Sequence, residues 1–499
     1  MKSVELTPHP AFLIESLRSI GYSLETALAD IIDNSITAEA DRISVRFMWA
    51  TGTPWIAVSD NGKGMSRERL LEAMRFGSSS PLTKRSALDL GRFGLGMKTA
   101  SLSQCRAVTV ISKTARETHA CVWDLDLLSE KIKPEWKAFL PEIDKLACDP
   151  VAGPLLGELA KRSSGTVVLW ERLDVILSDA AGAGSEQRFS AQMDQARIHI
   201  QTVFHRFLAT EGGRRAIRMD FNGSALAAFD PFGPRHPARQ ELPLETIPVS
   251  GERIDVQPYV LPHHTKIPRA EYELFGGDEG YLQNQGFYVY RNRRLIVKGT
   301  WFRLIRKAEL NKLVRVRVDI PNTLDHLWRI DIRKSQADPP ETVLQELRRI
   351  IHRIAGTGQR VYTNRALKLQ QRDKVPVWRR EVVDSLVRYV LNQDHPLIRA
   401  LTDDEDEPRR ARNRACLQLI SASFPAEMYF SDAADDSVEF APVADESQVV
   451  EMVRRLIEAM RSVGLDGDDL KQRLMKTEVP TLSPELIDRL LAEPHARST

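Results

Sequence analysis

The sequence predicts a multidomain α+β protein in which helices and short strands alternate. Its 499 residues exceed what one hydrophobic core usually organises, so several domains are expected. Short β-rich runs recur between helical patterns through residues 1–180, and they outnumber the strands that a fully helix-wrapped parallel sheet would need. A layer of helices on one face of a sheet is therefore the favoured architecture.

The first predicted domain spans residues 1–180. Ser23 can cap a helix whose apolar residues recur at helical spacing, at Leu24, Leu28, Ile31, Ile32 and Ile36. Four runs have the composition of strands: Ile43–Trp49, Trp55–Ser59, Val108–Ser112 and Thr166–Trp170. Together they predict a sheet covered by helices.

Four further segments are predicted after residue 180: a second α+β domain at 181–345, a helical segment at 346–400, a linker of acidic and basic residues at 401–412, and a small C-terminal domain at 413–499. The second domain contains Gly286–Tyr290, a polar turn and Leu295–Val297, which predict a hairpin.

The spacing of the cysteines and of the apolar residues indicates the cellular compartment. The four cysteines lie far apart without CxxC spacing, which fits a reducing compartment better than a disulfide framework. No signal-peptide core and no uncharged apolar run of membrane-spanning length occur, so a cytoplasmic protein with no membrane partner is expected.

Asp30 and Asn34 are four residues apart on the first long helix and therefore share a face. The Asn34 carbonyl oxygen is a hard ligand that suits Mg²⁺. Asp30 is a candidate to orient or deprotonate a water that attacks a γ-phosphate. The alternative is a solvated helix face with ordinary acids.

A second candidate segment is Asp60-Asn61-Gly62-Lys63-Gly64-Met65, a sharp turn after a strand. A buried Asp60 could accept a hydrogen bond from an adenine amino group. Gly62 and Gly64 would let the backbone pass close to the base. The alternative is a tight turn that only joins two elements.

A glycine-rich run precedes a helical pattern and exposes several N–H groups together, which favours phosphate binding. Its spacing fits neither the Walker pattern nor the dinucleotide fingerprint. The candidate residues here are Gly91, Phe93, Gly94, Leu95, Gly96, Met97, Lys98 and Thr99.

With Gly165-Thr166, these segments stand in the order of the four motifs of the GHKL ATPases, the group of gyrase B, MutL, histidine kinases and the large heat-shock chaperones. GRFGLGMKTAS and YVYRNRRLI most resemble the MORC and MutL-like branch. The resemblance implies a Bergerat ATP-binding sandwich that takes ATP and Mg²⁺. It implies that Asp60 contacts adenine with support from Thr166, that Asn34 holds Mg²⁺, and that Gly94–Lys98 caps the triphosphate.

Two further residues follow from the resemblance. The general base of these enzymes is usually Glu, whereas this chain has Asp30, so slow hydrolysis is expected. Such ATPases continue into a transducer domain that sends a lysine to the γ-phosphate. Lys334 in Trp328–Gln336 is the candidate, with a surface charge as the alternative.

The segment from 291 to 317 holds ten basic residues and one acid, with Trp301 and Phe302 among them. Clustered cations bind phosphate backbones without reading sequence. The tentative DNA-binding residues are Arg291, Arg293, Arg294, Lys298 and Arg303. A solvated face with salt-bridge partners elsewhere is the alternative. No nuclease motif is found.

Two functional hypotheses remain. In the first, the protein is an ATPase that closes or homodimerises on ATP and clamps or regulates DNA. The resemblance places this in a bacterial anti-phage or restriction-like system with nuclease or helicase partner proteins. In the second, it is a chaperone-like or signalling ATPase that acts on protein partners without DNA.

Overall fold

The computed structural model describes residues 8–19, 21–77, 96–129, 135–178, 184–233, 236–263, 266–277, 279–329, 337–354, 375–383, 386–402, 406–425, 446–462, 466–475 and 484–492. The chain divides into two compact units, Met1–Gln359 and Arg360–Thr499. The first unit contains two sheets. Both units mix helices and strands, which confirms the predicted α+β class.

Seven strands form the first sheet: β1 (Arg42–Met48), β2 (Trp55–Asp60), β3 (Ala107–Lys113), β4 (Thr118–Asp124), β5 (Gly165–Glu171), β6 (Arg218–Phe221) and β7 (Ser224–Ala225). Their order is β4-β3-β5-β2-β1-β6-β7. The β1–β6 pair is parallel, and the other neighbouring pairs are antiparallel. The four predicted strands correspond to β1, β2, β3 and β5.

The described helices of the first unit are α1 (Pro10–Arg18), α2 (Leu24–Thr37), α3 (Arg67–Met74), α4 (Gly96–Gln104), α5 (Leu125–Ser129), α6 (Ile143–Ala147), α7 (Ala152–Ala160), α8 (Asp174–Ser178), α9 (Ser185–Val203), α10 (His205–Leu208), α11 (Arg269–Gly276), α12 (Gly280–Gln283) and α13 (341–354). Helix α2 begins after Ser23, as predicted. The Ser23 hydroxyl lies 3.0 Å from that of Thr26 and makes no bond to a backbone N–H.

Helices cover both faces of the first sheet, so the expectation of one covered face was incomplete. On one face, α2, α4 and α9 pack against alternate strand residues such as Val58, Val110 and Val168. On the other face, α7 packs against Ile111 and Leu169. Strands β3 and β5 carry apolar residues on both faces, and each face needs a cover to exclude water.

The second sheet has six strands: β8 (Gln240–Glu241), β9 (Glu245–Val249), β10 (Glu252–Val260), β11 (Gly286–Arg291), β12 (Arg294–Thr300) and β13 (Val314–Ile320). Their order is β12-β11-β13-β10-β8, with β9 also paired to β10. The predicted hairpin is confirmed as β11–β12. Asn292 and Arg293 form its two-residue turn with φ angles of 49° and 71°, which suits the twist of the flanking strands.

In the second unit, the described elements are β14 (Trp378–Val383), β15 (Leu386–Leu391), α14 (Pro396–Thr402), α15 (Glu407–Ala422), α16 (Glu446–Ser462), α17 (Gly467–Met475) and α18 (Pro484–Ala492). The last three helices share a small core that includes Val453, Leu470 and Ile487. Among the described residues, no helix has both the length and the apolar composition needed to cross a membrane.

Two expectations for residues 346–412 were wrong in part. The predicted helical segment at 346–400 contains the antiparallel hairpin β14–β15, because its valines and aromatic residues favour a pleated ladder over a helix. The predicted linker at 401–412 lies largely in helices: α14 includes its first two residues, and α15 begins at Glu407. Pro408 stands in the first turn of α15, where a proline interrupts no helical hydrogen bond.

Candidate nucleotide-binding site

The Asp60 carboxylate lies at the end of β2 and is almost fully buried. Its Oδ1 accepts hydrogen bonds from the backbone N–H of Gly62 at 2.8 Å and of Thr166 at 3.2 Å. Its Oδ2 accepts one from the Ser35 hydroxyl at 2.9 Å. A carboxylate offers about four acceptor positions, so these three bonds leave room on Oδ2 for one more donor. An adenine amino group is a donor of the required kind.

Burial raises the pKa of Asp60 above its ordinary value, because removal from water disfavours the charged carboxylate. The hydrogen bonds from Gly62, Ser35 and Thr166 act in the opposite direction, as does the positive charge of Arg162. Arg162 also donates to the Asp60 backbone carbonyl at 2.7 Å. The acid is therefore held in place by its own turn, by α2 and by β5.

Near Asp60, two glycines let neighbouring main chains lie in direct contact. Gly64 has a φ of +67°, and a Cβ there would collide with the carbonyl oxygen of Lys113. A Cβ on Gly165 would collide with the carbonyl oxygen of Asp60. The Ser112 hydroxyl accepts from the N–H of Met65 at 2.8 Å and lies 2.9 Å from that of Thr166. The predicted second and fourth segments are thus brought together.

Asp30 is buried on α2, where the Tyr22 hydroxyl donates to its Oδ2 at 3.0 Å. A Cβ placed on Gly96 would lie 3.4 Å from the same oxygen, so Asp30 sits against the first residue of α4. Asn34, one turn later on the same face of α2, is exposed to solvent. The buried Asp30 therefore lies where the glycine-rich run meets its helix, and the exposed Asn34 follows one turn later on α2. The exposed Asn34 side chain is accessible to a ligand, and its predicted role as a Mg²⁺ ligand stays a prediction.

The described part of the glycine-rich run begins at Gly96. Met97 packs against the core, and Thr99 is buried in α4. Lys98 is also buried, and its Nζ donates to the Ala73 carbonyl at 2.7 Å beside the Phe76 ring. Burial lowers the pKa of Lys98 to about 8. In this structure Lys98 thus contacts the end of α3.

Several predicted site residues lie outside the described residues and have no structural account. They are Gly91, Phe93, Gly94, Leu95 and the candidate transducer lysine Lys334.

The predicted exposed DNA surface is wrong for two of its arginines. Arg291 is buried and forms a bidentate pair with Asp325, its Nε and Nη2 lying 2.7 Å from the carboxylate oxygens. Arg294 is buried and pairs with Asp33 on α2. A cation that leaves water needs an anion, and both arginines have one inside the fold.

The remaining three candidates differ in exposure. Arg293 is half-buried, contacts Glu211 at 3.3 Å and covers the Phe207 ring. Lys298 and Arg303 face solvent, with Lys298 lying 3.2 Å from Glu279. Only these two retain the accessibility that a phosphate backbone requires.

Sequence reasoning missed several residues that shape the site. Ser35, Ser112 and Tyr22 each bond to a candidate residue, and Arg294 reaches α2 from the second sheet. Polar serines within the apolar patterns of α2 and β3 were the available signal for two of them. No local pattern pairs Arg294 with α2, because 261 positions separate it from Asp33.

Parts of this chain are similar to known proteins, and one of these parts carries Asp30 and Asp60. Residues 22–166 match the family described as histidine kinase-, DNA gyrase B-, and HSP90-like ATPase. The chain is also 28% identical over 88 residues to "ATPase morc-1" of Caenorhabditis elegans. That match covers 18% of this chain and 10% of the relative, so the two share a small part of their lengths. Residues 22–166 are therefore similar to a GHKL-type ATPase domain, and a short part of the chain is similar to a MORC ATPase.

Proposed function

We propose that the protein is a molecular switch that binds and slowly hydrolyses ATP with Mg²⁺ and that closes or homodimerises when ATP binds. The observation that carries the proposal is the buried Asp60, held by Ser35, Gly62 and Thr166 with acceptor capacity left for adenine. In this proposal Asn34 is the Mg²⁺ ligand, and Asp30 is the general base that activates the attacking water. The match of residues 22–166 to GHKL-type ATPases supports the same reading.

The second sheet is assigned the role of a transducer in this proposal, with Lys334 reaching the γ-phosphate. The ion pair between Arg294 and Asp33 supports that role, because it joins the second sheet to α2, the helix that carries Asp30 and Asn34. The domain limits at residues 180 and 345 remain part of the proposal.

Nucleotide binding is tested by titration of the full chain with ATP in the presence and absence of Mg²⁺, followed by measurement of phosphate release. Light scattering after addition of a non-hydrolysable ATP analogue tests ATP-dependent dimerisation. We expect Mg²⁺-dependent binding, slow turnover and a doubling of mass. An absence of binding at millimolar Mg·ATP would overturn the proposal.

We extend the proposal to DNA as the partner that the switch clamps or regulates. Solvent-facing Lys298, Arg303, Arg306 and Lys307 support it, because they form a short basic stretch on and after β12. The resemblance to the MORC and MutL-like branch is the only support for the bacterial anti-phage setting and for nuclease or helicase partners. Composition is the only support for the cytoplasmic location.

The second candidate is a chaperone-like or signalling ATPase that acts on protein. The internal ion pairs of Arg291 and Arg294 favour it, because they remove two cations from the predicted DNA surface. DNA-stimulated turnover that falls steeply with added salt would support the clamp. A failure to bind DNA at low salt would favour the protein-directed ATPase.

A further inference from the structure

Arg294 reaches from the second sheet into the helix that carries the candidate catalytic acid. It is the first residue of β12, directly after the Asn292-Arg293 turn. Its Nε lies 2.8 Å from Oδ2 and 2.9 Å from Oδ1 of Asp33. Both side chains are almost fully buried. This contact therefore links the second sheet to helix α2 within the same compact unit, through charged groups that are shielded from water.

The same guanidinium also faces Asp30. Its Nη2 lies 3.8 Å from Oδ1 of Asp30, too far for a hydrogen bond and close enough for strong attraction between buried charges. Asp33 and Asp30 are three residues apart and thus neighbours on one side of α2. Arg294 therefore acts on two successive carboxylates of this helix.

Asp30 is held from two other directions. The Tyr22 hydroxyl donates to its Oδ2 at 3.0 Å, and Gly96 at the start of α4 approaches the same oxygen. Arg294 is the contributor from the second sheet. A small rotation of α2 about its axis would move Asp30 relative to α4, and misplacement of a catalytic group by about 1 Å can lower a rate on the order of a hundredfold.

We propose that Arg294 is a positioning residue for ATP hydrolysis: by binding Asp33 and attracting Asp30, it fixes the orientation of α2 and makes that orientation depend on the second sheet. This inference rests on the proposed function of Asp30 as the base. It assigns Arg294 no contact with nucleotide. Loss of its guanidinium should slow the hydrolytic step while leaving adenine binding at Asp60 intact.

The test compares Arg294→Gln and Arg294→Lys with the matched control Arg291→Gln. Arg291 is also a buried arginine of the same hairpin with a bidentate carboxylate partner, but that partner is Asp325 and not α2. Each full-length variant is assayed for affinity for Mg·ATP, for single-turnover hydrolysis, and for hydrogen exchange of the amides at 24–37.

For Arg294→Gln we expect affinity within about threefold of wild type, a single-turnover rate lower by roughly tenfold or more, and faster exchange in α2. Arg294→Lys should recover part of the rate because it keeps the charge. Arg291→Gln should leave the single-turnover rate and the exchange of α2 unchanged. A wild-type rate in Arg294→Gln, or an equal loss in Arg291→Gln, would overturn the inference.

Two further outcomes are also decisive. If Arg294→Gln does not fold, Arg294→Lys decides alone, because a lysine lacks the fork that reaches both carboxylates: an unchanged rate overturns the inference and a lower rate at retained affinity supports it. If the wild-type chain does not hydrolyse ATP, the proposed function fails. Exchange of α2 then still shows whether Arg294 holds this helix.

Discussion

The Ser35 hydroxyl donates a hydrogen bond of 2.9 Å to Oδ2 of Asp60 and thereby joins α2 to the end of β2. Ser35 follows Asn34 directly in the chain. The helix that presents the candidate Mg²⁺ ligand is thus bonded to the acid assigned to adenine. A nucleotide that contacts both residues would meet two groups whose spacing is already set, which lowers the entropy lost on binding.

Replacement of Asp60 tests the adenine contact. Asp60→Asn places an amide N–H₂ among the donors of Ser35, Gly62 and Thr166, so the free acceptor position is lost. We expect affinity for both ATP and ADP to fall by roughly tenfold or more, measured by calorimetric titration. Lys63→Gln is the matched control, since Lys63 lies in the same turn but is exposed and pairs with Glu39. Equal affinities in the two variants would contradict the assignment.

Replacement of Asn34 separates the contribution of Mg²⁺ to ATP binding from the contribution of the adenine contact. Asn34→Ala removes the carbonyl oxygen assigned to Mg²⁺ and should abolish the gain in ATP affinity on adding Mg²⁺. Thr37→Ala, an exposed position one turn further along α2, should retain that gain. Titrations with and without Mg²⁺ supply the measurement. If Asn34→Ala still shows the full Mg²⁺ dependence, the metal ligand lies elsewhere.

Replacement of Asp30 separates binding from hydrolysis. Asp30→Asn keeps the size of the side chain but removes its basicity, so we expect turnover to fall on the order of a hundredfold at unchanged ATP affinity. Phosphate release under saturating Mg·ATP measures the effect, with circular dichroism as a check on folding. Unchanged turnover would mean that another group activates the water.

The buried His205 predicts a pH dependence of stability. Its Nε2 lies 2.8 Å from the Tyr290 hydroxyl, and burial lowers the pKa of His205 to about 4 from an ordinary value of 6.5. Between these values the unfolded chain binds a proton that the folded chain does not. The free energy of unfolding should therefore fall as pH drops from 6.5 towards 4, by up to about 3 kcal/mol.

The control for this prediction is His205→Gln, which keeps a hydrogen-bonding group and does not titrate. Urea unfolding at pH 7, 6 and 5 should show a shallower loss of stability in this variant than in wild type. Parallel pH profiles for the two proteins would show that His205 is not the group responsible.

Much of the fold follows from local patterns. The apolar spacing in α2 and the alternation in β1, β2, β3 and β5 reflect burial against a shared core, which a single segment reveals. The turn at Asn292-Arg293 was identified from its polar composition between two apolar runs. The hairpin β14–β15 was missed because charged residues interrupt its valines, and pairing between strands does not show in either strand alone.

In the candidate site too, local features could be predicted from the sequence and contacts between distant residues could not. Asp60 and its glycines form one short turn, so their role is visible in sequence. The basic residues between positions 291 and 317 suggested a surface, because composition records the charge of a residue and not its partner. Asp33 and Asp325 neutralise two of those arginines from distant parts of the chain. Only the fold distinguishes an internal cation from an external one.

The tight approach of Gly64 to Lys113 and of Gly165 to Asp60 has a consequence for inactive descendants of such a domain. Any side chain at either glycine would push main chains apart, so folding alone would preserve both residues after nucleotide binding had been lost. Asp60 would be kept as well, because it accepts hydrogen bonds from Ser35, Gly62 and Thr166 inside the fold. The exposed Asn34 is under less constraint from folding, so a change at Asn34 is the clearer sign that the proposed Mg²⁺ site has been lost.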